Sequence, residues 1–484
     1  MIYKLLVVFQ FLLYHNIYAN NIIFPISDPI YIIARQNFLE FHDLSIYKKH
    51  SSLTNQYLIK DTDNIVYHHS IDKHNVFFQL LPRTKLWGNI PQSELRVWAS
   101  AYWENLSVLV EPVIVSNPYG LSILGTNDTR IFSSSGVSGR LAHSLVRFQN
   151  DNISFELGRG PVWWGQPWGN SIIQSGKTPS YDHLDMRFNF NNFQLEILAG
   201  QLGSEKSENN DRINRNIAGH RLTWTSDDHK WLIGVGEQVL YTGVNRSLEW
   251  WYLNPAVPYF FTALEEDEEI IEGERDNDNS ILFIFSRYVI RPNISPFIEL
   301  IIDEFQTKKQ SMKKYPNSLG VKIGLDGLLT ILRKDFYFNI EFNKIDNWTY
   351  IHGGQFTNWQ NRDHAIGYPY GSDLWSFQVQ TETWLSKKIL ISFDWLFLNK
   401  GNNNLSTYWE AKDNLGLNFP SKPISKFNFI DLNTSLYHKL GSLKMGLSNK
   451  IFPNELAMGE KINYNQDVML YLEIQLVKGF GFNI

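Results

Sequence analysis

The chain is 484 residues long, contains no cysteine and carries a formal net charge of −5. Without cysteine there are no disulfides, thiolate metal sites or cysteine nucleophiles, which suits export through an oxidising periplasm; so small a charge at this length argues against nucleic acid as a partner. Charged residues make up 19% and aromatic residues 15%, against about 25% charged in an average soluble domain, yet the mean hydropathy is slightly polar at −0.26. A chain rich in rings but polar on average suits strands with one face in lipid and the other in water.

In chain order, the first element is a secretory signal over residues 1–19. Lys4 supplies the positive end, Leu5 to Leu13 the short apolar core, and Ile17-Tyr18-Ala19 the cleavage site before Asn20. A core this short, interrupted by Gln10, does not cross about 30 Å of hydrocarbon as an anchor. Residues 20–93 form a second, helical or plug-like region. Asp28 and Pro29 make an N-cap and first helical residue, and Ile30, Ile33, Ala34, Phe38, Phe41 and Leu44 recur at helical spacing. That pattern predicts an amphipathic helix over 29–49 and a shorter one near 51–60. It would plug a lumen, pack at the periplasmic rim or cover a sheet edge.

From residue 94 to 484 the period changes to two. In 94–104, Leu95, Val97, Ala99, Ala101 and Trp103 alternate with Glu94, Arg96, Ser100 and Glu104; in 335–343, Phe336, Phe338, Ile340 and Phe342 alternate with Asp335, Asn339 and Glu341. The same pattern runs through 106–116, 140–149, 152–159, 184–190, 193–202, 217–226, 229–240, 280–290, 294–305, 317–326, 373–385, 388–399, 426–438, 441–451 and 467–476. These seventeen segments run nearer ten residues than the usual five or six of a sandwich, as tilted spanning strands do. No later run approaches 18 apolar residues, so a membrane protein with this sequence must be a barrel. Single-chain barrels have even strand numbers. The expected fold is therefore an all-β, antiparallel transmembrane β-barrel of 18 strands, or 16, with a short helical segment at its N-terminus.

The connections alternate in length. Asn191-Asn192 and Asp227-Asp228 are tight turns suited to the periplasmic side, whereas 117–139, 160–182, 241–279, 346–372 and 400–425 are long and irregular. Within them lies the stretch on which the chain turns. From Gly158 to Asn170 it carries four glycines, Pro161 and Pro167, and the rings Trp163, Trp164 and Trp168; Leu184, Met186 and Phe188 then alternate with Asp185, Arg187 and Asn189 as a strand begins.

Three separated motifs together resemble the Wzi-type capsule assembly family of outer-membrane proteins. The first is Gly158-Arg159 through Trp164-Gly165 to Ser175 and Pro179. The second is Asn293 to Phe305, a strand ending in Asp303-Glu304. The third is Asp363 to Asp373, in which Tyr368 and Tyr370 occupy the family's His and Leu places and Gly165-Gln166-Pro167 in the first motif stands where Gly-Pro-Gly is common. The resemblance implies a large barrel of about eighteen strands with a small N-terminal helical bundle, and a lectin-like role in holding capsular polysaccharide at the cell surface.

No Gly-x-Ser-x-Gly elbow, phosphate-binding glycine loop or His-Glu-x-x-His zinc helix is present. His68-His69 reads as a solvated pair, and neither an enzyme, a cofactor nor a resident metal is expected. Sugar binding calls for flat apolar faces and planar polar groups held rigidly. Trp163, Trp164 and Trp168, pinned between the prolines, have that character, as do Trp359, Tyr368 and Tyr370 in the second aromatic loop. Arg159 could pair with a uronic acid through its fork. The same rings could equally pack a loop folded into the lumen or line the lipid interface, and Arg159 could pair with an acid on the next strand. The acidic stretch 265–278 is a solvated loop or a divalent-cation bridge to lipopolysaccharide. The expectation is a monomer in outer-membrane lipid and lipopolysaccharide that binds or tethers surface polysaccharide and supports capsule assembly. A porin or solute channel is the alternative, and would have an open lumen.

Overall fold

The computed structural model describes residues 76–482 apart from 104, 117–135, 151, 167–169, 260–277, 291–292, 305–317, 353–355, 408–417, 439, 450–452 and 460–467. The expected signal, the helix at 29–49, Trp168 and nearly all of the acidic stretch lie outside these residues.

Eighteen antiparallel strands form one closed wall. They are β1 (Val76–Trp87), β2 (Ile90–Trp103), β3 (Leu106–Ser116), β4 (Val137–Gln149), β5 (Ile153–Gly160), β6 (Tyr181–Phe190), β7 (Phe193–Gln201), β8 (Arg212–Thr225) and β9 (Trp231–Val244). Then follow β10 (Asp278–Tyr288), β11 (Ile294–Glu304), β12 (Ser318–Ile331), β13 (Lys334–Ile345), β14 (Leu374–Ser386), β15 (Ile389–Lys400), β16 (Ser425–His438) and β17 (Gly441–Ser448). The last, β18, runs as Met469–Leu476 and Lys478–Phe482, and both segments pair with β1 to close the cylinder. Closure leaves the sheet without a free first or last strand, which a wall in hydrocarbon requires. A six-residue helix, α1 (Pro453–Met458), sits between β17 and β18.

Each of the seventeen alternating segments is one of these strands. The eighteenth is β1, so the wall starts at Val76 and not at 94. Its alternation is blurred by the doublets Phe77-Phe78 and Leu80-Leu81 and by Pro82, yet Phe78, Leu80 and Leu86 face outward as the pattern of the other strands demands.

The two faces differ as the period predicts. Outward positions such as Phe155, Leu157, Leu222, Ile284 and Leu443 are exposed and apolar, while inward positions carry buried charge, including Arg147, Glu156, Arg187, Glu196 and Arg221. The turns after β2, β4, β6, β8, β10, β12, β14 and β16 are short and share one end with Val76 and Phe482; the opposite end holds the long connections, Gly88-Asn89 excepted. Those long connections position everything that follows.

Candidate functional site

Residues 161–180, between β5 and β6, do not stand above the barrel. Those described fold into the lumen, where Trp163-Trp164 pairs with Gln174-Ser175 in a small ladder. One carboxylate on the wall receives the loop. Glu299 of β11 accepts the Gln166 amide through Oε1 at 2.6 Å and the Ile172 amide through Oε2 at 2.8 Å, with the Ser171 hydroxyl at 3.1 Å. Gly165 makes this approach possible. At φ +112° it occupies backbone space hostile to other residues, and a Cβ there would strike both Ser171 and the Glu299 carboxylate. The Gln166 side chain then donates to the carbonyl of Ser286 at 3.1 Å and accepts from Arg287 at 3.1 Å, while Arg287 holds Asp326 at 2.7 Å.

Trp164 lies at the bottom of this loop and is fully buried. Its indole N–H donates to Glu196 at 2.8 Å, an acid that also accepts from Arg187 at 2.9 Å and Arg221 at 2.6 Å. The Arg221 guanidinium lies 5.1 Å over the ring, and Gly219 opposite leaves the space the ring fills. Burying about 200 Å² of indole contributes on the order of 5 kcal/mol, and the polar edge is satisfied as well. Trp164 is a packing residue.

The described residues of the second aromatic loop, 346–373 between β13 and β14, enter from the same end. Trp359 and Tyr368 are fully buried and Tyr370 nearly so. Tyr368 shares a hydrogen bond with Ser376 at 2.8 Å, and Tyr370 stacks on Phe429 with 6.4 Å between centroids. Arg215 of β8 clamps the loop by donating to the carbonyls of Phe356, Asn358 and Gln360 at 2.8 to 2.9 Å. Burial of His352 pulls its imidazole down to about 4, so it stays neutral at ordinary pH.

The two loops are joined to each other. The Ser175 amide donates to the Ile366 carbonyl at 2.9 Å, and Asn361 donates to the Pro179 carbonyl at 2.9 Å. Tyr350 is the pivot: its hydroxyl donates to the Ile172 carbonyl and accepts the Tyr368 amide at 3.2 Å, while its own amide donates to Asp303 at 2.6 Å. The three separated motifs thus meet at one point. Glu299 and Asp303 come from the second, Gln166 and Ile172 from the first, and Tyr368 from the third. Around this junction Val162, Ile172, Ile173, Ile366, Leu456 and Ala457 belong to an apolar core inside the lumen.

The remaining residues singled out in the sequence lie elsewhere. Trp163 is only partly buried against this core. Arg159 points out of the wall and not into the lumen; its fork is engaged by Asp182, opposite it on β6, at 2.6 and 2.8 Å. Glu299, Glu196, Arg215 and Tyr350 were not singled out. Nothing local marks them, because each belongs to an ordinary alternating strand or polar loop until its partner, more than 120 residues away for Glu299, is known. Among the described residues no group of three or more acidic, histidine or cysteine side chains could hold a metal.

A closed wall with an apolar outside, a charged inside and a lumen packed with its own loops defines a plugged outer-membrane β-barrel. The chain belongs to the capsule assembly protein Wzi family, whose model matches residues 88–429. Among solved structures it is similar to Wzi of Escherichia coli, described as an outer membrane protein involved in group 1 capsule assembly and a carbohydrate-binding β-barrel, at 14% identity over 85% of each chain with a TM-score of 0.56. More distant likenesses are OpdK of Pseudomonas aeruginosa (8% identity, 84% of this chain and 99% of that one, TM-score 0.46) and a BenF-like porin of Pseudomonas fluorescens (8% identity, 85% and 99%, TM-score 0.46). No curated protein sequence matches the chain.

Proposed function

We propose that the protein holds surface polysaccharide at the long-loop mouth of its barrel and so supports capsule assembly, as a binding protein and not as an enzyme or a channel. The observation that carries this reading is the fusion of the two aromatic loops inside the lumen. A solute channel needs a path, whereas these loops are tied to the wall and to each other through buried hydrogen bonds. A sugar-binding surface needs a rigid floor, so that little conformational entropy is lost on binding. Membership of the capsule assembly family and the carbohydrate binding of the Escherichia coli relative support the same reading.

In this reading Trp164, Trp359, Tyr368 and Tyr370 make the floor rigid, and ring contact with sugar falls to Trp163, which keeps part of its face open. Glycan-array and native-polysaccharide binding of Trp163→Ala, with hydrogen exchange monitoring the plug, tests the assignment: binding should fall while the plug stays protected. Full binding by that variant would remove Trp163 from the site. Unchanged capsule retention in cells lacking the protein would remove the function. The reading also carries a monomer embedded in outer-membrane lipid and lipopolysaccharide, which the mass of the detergent-solubilised protein checks. Stepwise conductance of the parent protein in planar bilayers would favour a channel instead.

A further inference from the structure

One sector of the outer wall breaks the apolar-out rule. On β8 and β9 the outward positions include His220 and Glu237, joined at 3.0 Å, and four residues further along, opposite Tyr241, stands the outward Asp278 of β10. Glu237 stands six residues along β9 from Trp231, an outward ring packed at a tilt against Tyr288 at the short-turn end. At about 3.3 Å per residue and a tilt near 40°, that is roughly 15 Å up a hydrocarbon band about 25 Å tall. A bare carboxylate at that height would be costly, and both Glu237 and Asp278 point outward.

They are not bare. Residues 245–259 leave β9 and fold down over the outside of the wall. Asn214 and Asn216, outward residues of β8, donate to the Arg246 carbonyl at 3.1 and 3.4 Å. Arg246 reaches Asp278 at 3.1 Å and Glu249 at 2.7 Å, Tyr252 donates to Asp278, and Tyr259 covers His220 with ring centroids 4.7 Å apart. Tyr259 also donates to the Tyr252 carbonyl at 2.6 Å. Beneath this cover Ala218, Val239 and Tyr241 are buried although they point outward. The large side chains that the segment exposes are apolar, Trp250 at 84%, Trp251 at 48% and Leu248 at 47%, among the small polar residues Asn245, Ser247 and Asn254.

We propose that residues 245–259 are a membrane clasp, in which a loop replaces the wall as the lipid-facing surface and sets Trp250, Trp251 and Leu248 into the interface of the leaflet on the long-loop side. The occupant is lipid for two reasons. The clasp lies on the outer wall, continuous with the apolar band of Leu222, Val235 and Leu282. Tryptophan, with an oily body and one polar N–H, is the residue type that partitions to this depth.

The cysteine-free chain makes the test direct. Trp250→Cys and Leu248→Cys, each labelled with bimane and reconstituted in phosphatidylethanolamine–phosphatidylglycerol vesicles, are compared with Asn402→Cys on an exposed loop of the same end; heat-modifiable migration verifies the barrel. The label at 250 or 248 should lose most of its emission to acyl-brominated lipid and little to iodide, with the reverse at 402. Quenching by iodide alone at 250 and 248 would overturn the proposal. So would shielding from both quenchers, which would place a protein, such as a second copy, on this face. Having both positions allows a reading even where one substitution impairs assembly.

Discussion

Replacing Glu299 by alanine should release the loop at 161–180 without unfolding the barrel. The carboxylate serves two backbone amides and one hydroxyl, all buried. The Ser171 hydroxyl can turn to another acceptor, but the amides of Gln166 and Ile172 cannot. Each orphaned buried donor costs about 1–3 kcal/mol, so the two together, with partial rehydration of the hole, weaken the closed loop by about 3–5 kcal/mol. Opening should then be roughly a hundredfold to several thousandfold more frequent. Lys322 nearby is not stranded, since it keeps Glu341 at 2.8 Å and the Asn170 carbonyl at 2.9 Å. Glu299→Gln keeps the shape and one acceptor but turns an amide N–H toward a backbone N–H, so its effect should be about half as large in free energy. Hydrogen exchange of the 163–175 region in detergent reads the opening, and planar-bilayer conductance reads its consequence as new stepwise events. Native exchange rates at Gln166 and Ile172 in the alanine variant would refute the reasoning, because the loop would then be held by something other than this acid.

Three further outcomes are expected. Gly165→Ala combines a collision with Ser171 and Glu299 with a positive φ, and should destabilise the closed loop by about 2 kcal/mol or more, read by the same exchange measurement. Arg215→Ala should loosen 356–360 by about 3 kcal/mol through three lost donations, and Arg215→Lys should recover only part, seen as protease cleavage in that loop. Acid should open 346–373 as well. Burial holds the folded His352 down at about 4 against its ordinary 6.5, so the folded loop binds fewer protons than the open one between those values. Its stability is therefore full above pH 6.5, falls through the window and levels off below pH 4, a loss of about 3 kcal/mol. His352→Gln should remove this part of the pH dependence; an unchanged exchange profile between pH 4 and 7 in that variant would assign it to other groups.

The wall was legible because a spanning strand writes its surroundings into every second residue. Phe336, Phe338, Ile340 and Phe342 must face lipid and Glu341 must not, whatever the rest of the molecule does. The strand β1 escaped because Phe77 and Leu81 face inward and are as apolar as their outward neighbours, so alternation carries no contrast there. The plug was half legible. Glycines, prolines and rings announced a rigid loop at 158–182, but whether it was displayed or swallowed depended on Glu299, whose sequence neighbourhood is an unremarkable strand. Alternation says that Glu299 faces inward; it does not say what it will meet. His220 and Glu237 were unreadable for a related reason. They violate the outward pattern, and only the clasp, folded over them from residues 245–259, explains why.

The plug and the clasp are one strategy applied to two faces. A barrel of eighteen strands is wide enough for an aqueous lumen, and a porin keeps that space open. Here the chain fills it with the loops at 161–180 and 346–373, and it uses buried carboxylates on the wall to fix them. On the outside it does the same with Asp278 and Arg246. In both places an acid on the wall, costly to bury alone, is placed where a loop brings its donors, so that the loop is specified as well as held. Such a molecule has a mouth whose loops are anchored below in the lumen and beside the wall. That is the property a tether needs. A polysaccharide pulling on a displayed, mobile loop would first straighten it, whereas one held as proposed, over a floor built from Trp164, Trp359 and Tyr368, would transmit its load directly to the barrel and so to the membrane.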